Sequence, residues 1–245
     1  MTIEFSKVIS IFTNNLPLFV YGISITLIFA IVGTVCGFLI GLLVGGVRAL
    51  EETQYDSTLM KILKKIGKLI TGLYIWVFRG TPMMVQAMFI YYILKPTINW
   101  TPLVAGLVII SINTGAYMAE IIRAGIQSVD KGQTEAAYSI GMNSFQTLIY
   151  IIFPQAIKNT FPSIGNQLIV NIKDSSMINV IGVTELFFQT KSIAGSNYLI
   201  VETFIVAAFI YLFLTTISTY MLNYIEKNME AKTKSKKDSY KDFCS

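Results

Sequence analysis

Five long apolar runs alternate with polar segments along the chain, and their lengths predict membrane-spanning helices. A helix that crosses a bilayer needs about 20 mostly apolar residues. The runs that meet this requirement lie at residues 17–46, 69–94, 101–122, 155–176 and 199–225. The fourth run is the weakest, because it carries the adjacent charges Lys173 and Asp174. The pattern therefore predicts an all-α membrane protein with five transmembrane helices.

The composition of the chain agrees with a membrane protein. Of its 245 residues, 53% are hydrophobic and 13% are charged, whereas soluble domains carry roughly 25% charged residues. The mean hydropathy is +0.61. The first run is too long for the core of a signal peptide and lacks a small-residue cleavage site, so we expect it to be retained.

The distribution of lysine and arginine predicts the orientation of the chain, since cytoplasmic loops collect positive charge. Positive residues gather between the first and second runs, between the third and fourth, and after the fifth: Arg48, Lys61, Lys64, Lys65 and Lys68; Arg123 and Lys131; Lys227, Lys232, Lys234, Lys236, Lys237 and Lys241. The opposite side holds Lys7, Lys95 and Lys191. We therefore expect residues 1–16 outside the cell and the basic tail, 227–245, in the cytoplasm.

Several function classes are excluded by residue content. The chain has no histidine and two cysteines, Cys36 in the first run and Cys244 in the tail. We therefore expect no disulfide, no histidine-based metal site and no Ser-His or Cys-His nucleophile. An acidic cluster, Glu51, Glu52 and Asp56, lies in a loop rich in lysine, and we interpret it as solvated rather than as the site of a membrane enzyme. The net charge of +5 is spread over loops and tail, which argues against a nucleic-acid partner.

The first run carries four glycines at intervals of four residues, Gly33, Gly37, Gly41 and Gly45. On a helix they share one face and let a second helix approach closely. That second helix belongs either to this chain or to another subunit, and the sequence leaves both possibilities open.

The segment at about 130–154, between the third and fourth runs, has helix signals of its own. It predicts a short helix over about 133–140, then Gly141 in a position that suits positive φ between two helices. The second helix runs to Pro154, which ends or kinks it. Two short helices on the inner face of the membrane form a docking element for a cytoplasmic partner. An amphipathic helix that merely lies on the lipid is the alternative.

The spacing in this segment resembles the signature loop of permease subunits of bacterial ABC importers. That signature reads Glu-Ala-Ala, three residues, Gly, nine residues, Ile, two residues, Pro; it is matched here by Glu135, Ala136, Ala137, Gly141, Ile151 and Pro154. Phe153 stands where the family usually has leucine. The blocks at 78–92, 113–137 and 153–186 resemble the polar amino-acid importers of the histidine and glutamine permease type. The likeness runs from about residue 16 to 226.

The resemblance implies a type I importer fold in a bacterial cytoplasmic membrane, with five spans per subunit. The permease would work as a dimer, expected to be a homodimer, with two cytoplasmic ATPase subunits that bind Mg-ATP. Gln133 and the signature residues of the coupling loop would contact the ATPase. The chain has no Gly-x-x-x-x-Gly-Lys-Ser/Thr loop, so we expect it to bind no ATP and no other cofactor. Because it has no long extracytoplasmic segment, we expect the substrate-binding protein to be a separate chain.

Polar residues inside the runs are the candidates for substrate contact, because ionisable groups in a span usually face a cavity or a partner. Arg79 is expected to bind the carboxylate of a polar amino acid, and Glu120 its ammonium. Further candidates are Thr81, Asn113, Tyr117, Asn166 and Gln167. The alternative for Glu120 is that it pairs with Arg79 or Arg123 and holds helices together. Zwitterionic and cationic amino acids fit this set equally well.

A subunit of an ion-gradient-driven secondary transporter or channel is the alternative function. Such folds often contain an inverted internal repeat, and the five runs show none. The docking segment would also have no purpose in such a protein. Transport without ATP or an ATPase subunit would favour this alternative.

Overall fold

A computed structural model describes residues 4–50 and 57–244, with side chains as far as Met229. Every regular element in these ranges is a helix. The α-helices are α1 Phe5–Asn14, α2 Leu16–Ala49, α3 Thr58–Gly80, α4 Met83–Ile98, α5 Pro102–Gln127, α6 Lys131–Ser139, α7 Ser144–Gln146, α8 Phe153–Asp174, α9 Leu186–Asn197 and α10 Ile200–Cys244. Thr147–Ile152 is a π-helix and Ser175–Ile181 a 3-10 helix. The acidic cluster Glu51, Glu52 and Asp56 lies outside the described residues.

Three helices of the described ranges are long and apolar enough to cross a membrane. They are α2, α5 and the part of α10 from Ile200 to Met229. The apolar helix α4 is shorter, and α8, which overlaps the predicted fourth run, is not among the three. The fold is thus an all-helical membrane architecture, as the hydrophobic pattern predicts.

The predicted second run, 69–94, is not one helix but two, α3 and α4, which meet at Thr81 and Pro82. A residue that precedes proline is kept out of the helical region, and Thr81 has extended angles, φ −125° and ψ 147°. Gln86 stabilises the break, because its Nε2 donates to the carbonyl oxygens of Phe78 at 3.0 Å and Thr81 at 2.9 Å. One amide therefore satisfies carbonyls that the end of α3 leaves free.

The glycine ladder of α2 packs against α5 of the same chain. A Cβ built on Gly33 would lie 3.1 Å from Ile110, and one built on Gly45 would lie 3.0 Å from Ile122. Glycines later in α2 contact residues later in α5, so the two helices run parallel. Of the two possibilities that the sequence leaves open, the structure shows the contact within the chain.

The next long helix, α8, returns in the opposite direction. Gly125 at the end of α5 faces Thr160 near the start of α8, and Thr114 earlier in α5 donates to Asn171 late in α8 at 3.0 Å. The helices are therefore antiparallel. Beyond α8, Ile178 of the 3-10 helix reaches the level of Gly106, close to the start of α5.

α9 and α10 complete the bundle at the end where α2 begins. Leu186, the first residue of α9, lies against Gly22 of α2. Val206 and Ile210 of α10 share an apolar cluster with Phe19, after which α10 passes α8, where Leu222 contacts Gly165. α10 therefore runs from the first turns of α2 towards the middle of α8 and beyond.

The segment between α5 and α8 differs from the prediction at Pro154. Gly141 has the predicted positive φ, +84°, and Asn143 and Gln146 form a capping box that starts the next helix. That helix does not end at Pro154, however, since helical structure continues from Ser144 through Asp174. In the wider π turn the Phe153 N–H bonds to Leu148 O, five residues back. This register leaves room for a proline ring that a regular α-helix would not accommodate.

Candidate substrate path and docking surface

Glu120 of α5 is paired with three arginines from three helices. One guanidinium N–H of Arg48, in the last turn of α2, donates to its Oε1. Arg123 donates to Oε2 from Nε at 3.1 Å and from Nη2 at 2.9 Å. Arg79, in the last turn of α3, lies 3.7 Å from the same Oε2. Three guanidinium groups and one carboxylate leave this arginine cluster with a net charge of +2.

Arg79 is the most accessible member of the arginine cluster. Its side chain is 42% exposed, and its guanidinium carbon lies 5.5 Å from the centre of the Tyr117 ring. The 3.7 Å separation from Glu120 exceeds the range of an N–H···O hydrogen bond. The predicted candidates Arg79, Tyr117 and Glu120 are therefore brought together, with Arg79 held by an aromatic face and a long ion pair.

Thr81 and Asn113 belong to a different polar group, centred on Gln86. Gln86 Nε2 donates to Thr81 Oγ1 at 2.7 Å, and its Oε1 accepts from Asn113 Nδ2 at 2.8 Å. Asn113 also donates to Phe78 O at 3.3 Å and is only 5% exposed. These two candidates hold the α3–α4 break against α5 in this conformation.

Asn166 and Gln167 face different environments, although they are neighbours on α8. Asn166 is exposed, whereas Gln167 is buried and donates to Asn171 Oδ1 at 3.4 Å. Asn171 was not a predicted site residue, yet it joins three helices, because it also donates to Thr34 Oγ1 at 2.8 Å and accepts from Thr114. The sequence feature that could have indicated Asn171 is its position one helical turn after Gln167, in the most polar of the five runs.

Glu185 is a second polar residue that the sequence did not single out. It is fully buried and caps α9, with its carboxylate accepting from the N–H groups of Phe187 and Phe188 at 2.8 Å. The Tyr211 hydroxyl of α10 donates to it at 3.2 Å. Burial raises the pKa of the Glu185 carboxyl, while these hydrogen bonds and the charge of Lys191 act in the opposite direction.

The predicted coupling residues lie on α6, at Gly141 after it, and at Pro154 in the helix that follows, and most of them are exposed; we call this region the coupling surface. Gln133, Glu135, Ala136, Gly141 and Pro154 are exposed, and Ala137 is buried against the bundle. Apolar side chains widen this coupling surface: Ile140 is 79% exposed, and Phe145 and Tyr150 are exposed as well. A cavity of about 480 Å³ lies between α6 and the C-terminal ends of α2 and α5. The side of α6 that carries Gln133, Glu135 and Ala136 is therefore accessible.

Comparison with known proteins identifies the family of this chain. Residues 37–231 match the family described as "binding-protein-dependent transport system inner membrane component". The chain belongs to this family. The match covers α2 from Gly37 onwards, the arginine cluster, the coupling surface and the start of the tail.

Similar members of the family agree in sequence and in fold. The glutamine transport system permease protein GlnP of Escherichia coli (strain K12) is 36% identical over 218 residues, which are 88% of this chain and 94% of that protein. The crystal structure of an amino acid ABC transporter with histidines has a TM-score of 0.78 and 37% identity, covering 93% of this chain and all of that one. The predicted resemblance to ABC importer permeases of the glutamine type is confirmed.

A more distant structure shares the fold alone. The MetNI methionine ABC transporter, in inward-facing conformations, has a TM-score of 0.71 at 18% identity, over 87% of this chain and 97% of that chain. The helical architecture is therefore that of ABC importer permeases, even where sequence similarity is low.

Proposed function

We propose that this chain forms the translocation path of an ATP-driven importer of polar amino acids and couples that path to a separate ATPase. Family membership carries the proposal, since the matched family consists of membrane components of binding-protein-dependent transport systems. The glutamine and amino-acid transporters among its relatives favour a free amino acid as the substrate.

Five membrane crossings are the topology that the helix directions favour. α2 and α5 run parallel, so the chain between them, which contains α3 and α4, returns across the membrane once. α8 runs opposite to α5, and α10 starts again at the end where α2 begins. Together with the positive-inside rule, this order supports an N-terminus outside the cell and a basic tail in the cytoplasm.

The ATPase subunit would drive the translocation path through the coupling surface. The exposed side chains of Gln133, Glu135 and Ala136 would sit in a groove of the ATPase subunit, with Ile140 and Phe145 adding apolar contact. Ala137 and the π turn connect this surface to α8, and hence to the Asn171 contacts between spans. ATP and Mg²⁺ would be held by the two ATPase subunits and not by this chain.

The substrate path passes the arginine cluster. Arg79 would bind the substrate carboxylate with two parallel N–H···O bonds, beside the exposed Tyr117. The exposed amide of Asn166 on α8 would be a further polar contact along the path. Glu120 has both oxygens engaged by guanidinium groups, so an ammonium group would have to displace an arginine to reach it. Thr81, Asn113 and Gln167 would support the path by fixing α3, α4 and α8.

The remaining partners follow from the architecture. A single bundle of five crossings is small for a complete path, so a second permease subunit, a copy of this chain in the simplest case, would complete it. A separate extracytoplasmic protein would deliver the substrate to this dimer in the bacterial cytoplasmic membrane.

Competition uptake tests the proposal. Vesicles that contain the permease, its ATPase and its binding protein are loaded with ATP, and uptake of labelled glutamine is challenged with each of the twenty amino acids and cystine. ATP-dependent uptake with competition by a few polar amino acids is expected. Uptake that persists without ATP or without the ATPase would instead support a secondary transporter.

A further inference from the structure

The carboxylate of Glu120 is shared unevenly among its three arginines. Arg48 occupies Oε1, and Arg123 occupies Oε2 through two hydrogen bonds. Arg79 remains at 3.7 Å, beyond hydrogen-bond range. Arg48 and Arg123 together therefore fill three of the roughly four acceptor positions of the carboxylate, and Arg79 makes no hydrogen bond to it.

The donors of Arg79 are consequently available. Among the residues that the structure describes, its guanidinium contacts the Tyr117 ring and the distant Glu120 oxygen. A guanidinium carries five N–H donors in a planar fork, which matches the two oxygens of a carboxylate. Arg48 does not touch this open side; it holds Glu120 Oε1, while Arg123 holds Oε2, the oxygen nearest to Arg79.

The charge balance near this site is positive. The arginine cluster carries a net +2, and the other charges within α8 do not offset it: Lys173 and Asp174 are adjacent and cancel, while Lys158 is an exposed cation. A substrate with a cationic side chain would bring like charge into a partly desolvated space, where repulsion is stronger than in water.

We propose that Arg48 is a positioning residue that anchors Glu120 through Oε1 and so keeps the donors of Arg79 free, with the result that the cluster binds the carboxylate of neutral or acidic amino acids and rejects lysine and arginine. The inference rests on the proposed function, since it assigns a substrate class to that same path. It assigns a role to Arg48, which would not contact the substrate. It also assigns a charge selectivity for the substrate, which the sequence leaves open.

The test measures charge selectivity directly on the membrane subunits. The permease–ATPase complex, without binding protein, is placed in nanodiscs, and binding of glutamine, glutamate, lysine and arginine is titrated for wild type, Arg48→Gln, Arg48→Lys and Lys65→Gln. In Arg48→Gln, Glu120 Oε1 is free to turn to Arg79 and the net charge falls to +1. Glutamine and glutamate affinity should fall at least tenfold, while lysine and arginine affinity rises. Arg48→Lys should largely restore the wild-type preference.

Lys65→Gln is the matched control, because it removes the same charge from an exposed position of α3 outside the cluster; it should leave the preference unchanged. If Arg48→Gln does not fold, Glu120→Gln serves instead. It raises the net charge to +3 and should strengthen glutamate relative to lysine by at least tenfold.

An unchanged glutamine-to-lysine affinity ratio in Arg48→Gln, or an unchanged glutamate-to-lysine affinity ratio in Glu120→Gln where that variant is used, would overturn the inference. Lysine binding by the wild type as tight as glutamine binding would also overturn it. The proposed function fails separately, when the wild-type complex with its binding protein shows no ATP-dependent uptake of any amino acid.

Discussion

Gly41 of α2 faces Met118 of α5 so closely that a Cβ added to the glycine would lie 2.5 Å from the Met118 Cβ. The same Cβ would also lie 2.9 Å from the Met118 backbone carbon and 3.0 Å from the Ala119 nitrogen, so the two helix backbones are in close contact. The parallel pair of α2 and α5 is therefore held by the absence of side chains on α2, in the manner of small-residue helix contacts in membranes.

Gly41→Ala should accordingly destabilise the bundle. The added methyl group must displace Met118 or separate the helices, and overpacking of this kind costs about 1–3 kcal/mol. Thermal unfolding in detergent measures the loss. Gly72→Ala is the matched control, because a Cβ there meets nothing within 4 Å; alanine at that helical position should be neutral or stabilising by up to about 1 kcal/mol. Equal midpoints for both variants would show that the α2–α5 contact is not tight.

Arg79→Lys and Arg123→Lys should have opposite consequences. Arg79 makes no hydrogen bond to Glu120, so lysine there should leave the unfolding midpoint almost unchanged but lower substrate affinity about tenfold, because the bidentate fork is lost. Arg123 makes two hydrogen bonds to Glu120 and one to Gln127, and its replacement should cost about 1 kcal/mol of stability. Titration and thermal unfolding of both variants check this. A destabilised Arg79→Lys protein with normal affinity would assign Arg79 to structure.

Gly141→Ala should uncouple the ATPase from transport. Gly141 has φ +84°, where alanine is strained by about 1 kcal/mol, so α6 should change its angle to the following helix. ATP hydrolysis should continue with uptake reduced at least several-fold, or the ATPase should dissociate more readily. Gly195→Ala in α9, with open space around it, is the control. Full transport by Gly141→Ala combined with Glu135→Ala would rule out the coupling role.

Features that depend on local sequence were predictable. The glycine ladder follows from a four-residue interval within one helix, and the positive φ of Gly141 follows from its place between two helix signals. The interruption of the second run is marked in the sequence by Pro82, and the structure shows a full break there because Thr81 adopts the extended conformation.

Features that depend on distant contacts were not predictable. Arg48 appeared in the sequence as one of several cytoplasmic cations, and its pairing with Glu120 spans 72 positions. The role of Asn171 likewise needs Thr34 and Thr114, which belong to other helices. Pro154 was expected to end or kink a helix because proline usually does, and no local rule indicates the π turn that lets the helix continue.

Capture of the ATPase by α6 tests the central claim most directly. Ala136→Cys, in a Cys36→Ser, Cys244→Ser background, places one thiol on the coupling surface, and Phe5→Cys in the same background places one on the exposed side of α1. The transporter is assembled in membranes with an ATPase that carries a single surface cysteine, whose position is varied. The membranes are treated with a short bifunctional thiol reagent, and crosslinked permease–ATPase products are identified by their mass. The account predicts crosslinks from position 136, with a yield that changes on ATP binding, and none from position 5. Absence of any crosslink from position 136 in an assembled, transporting complex would contradict it.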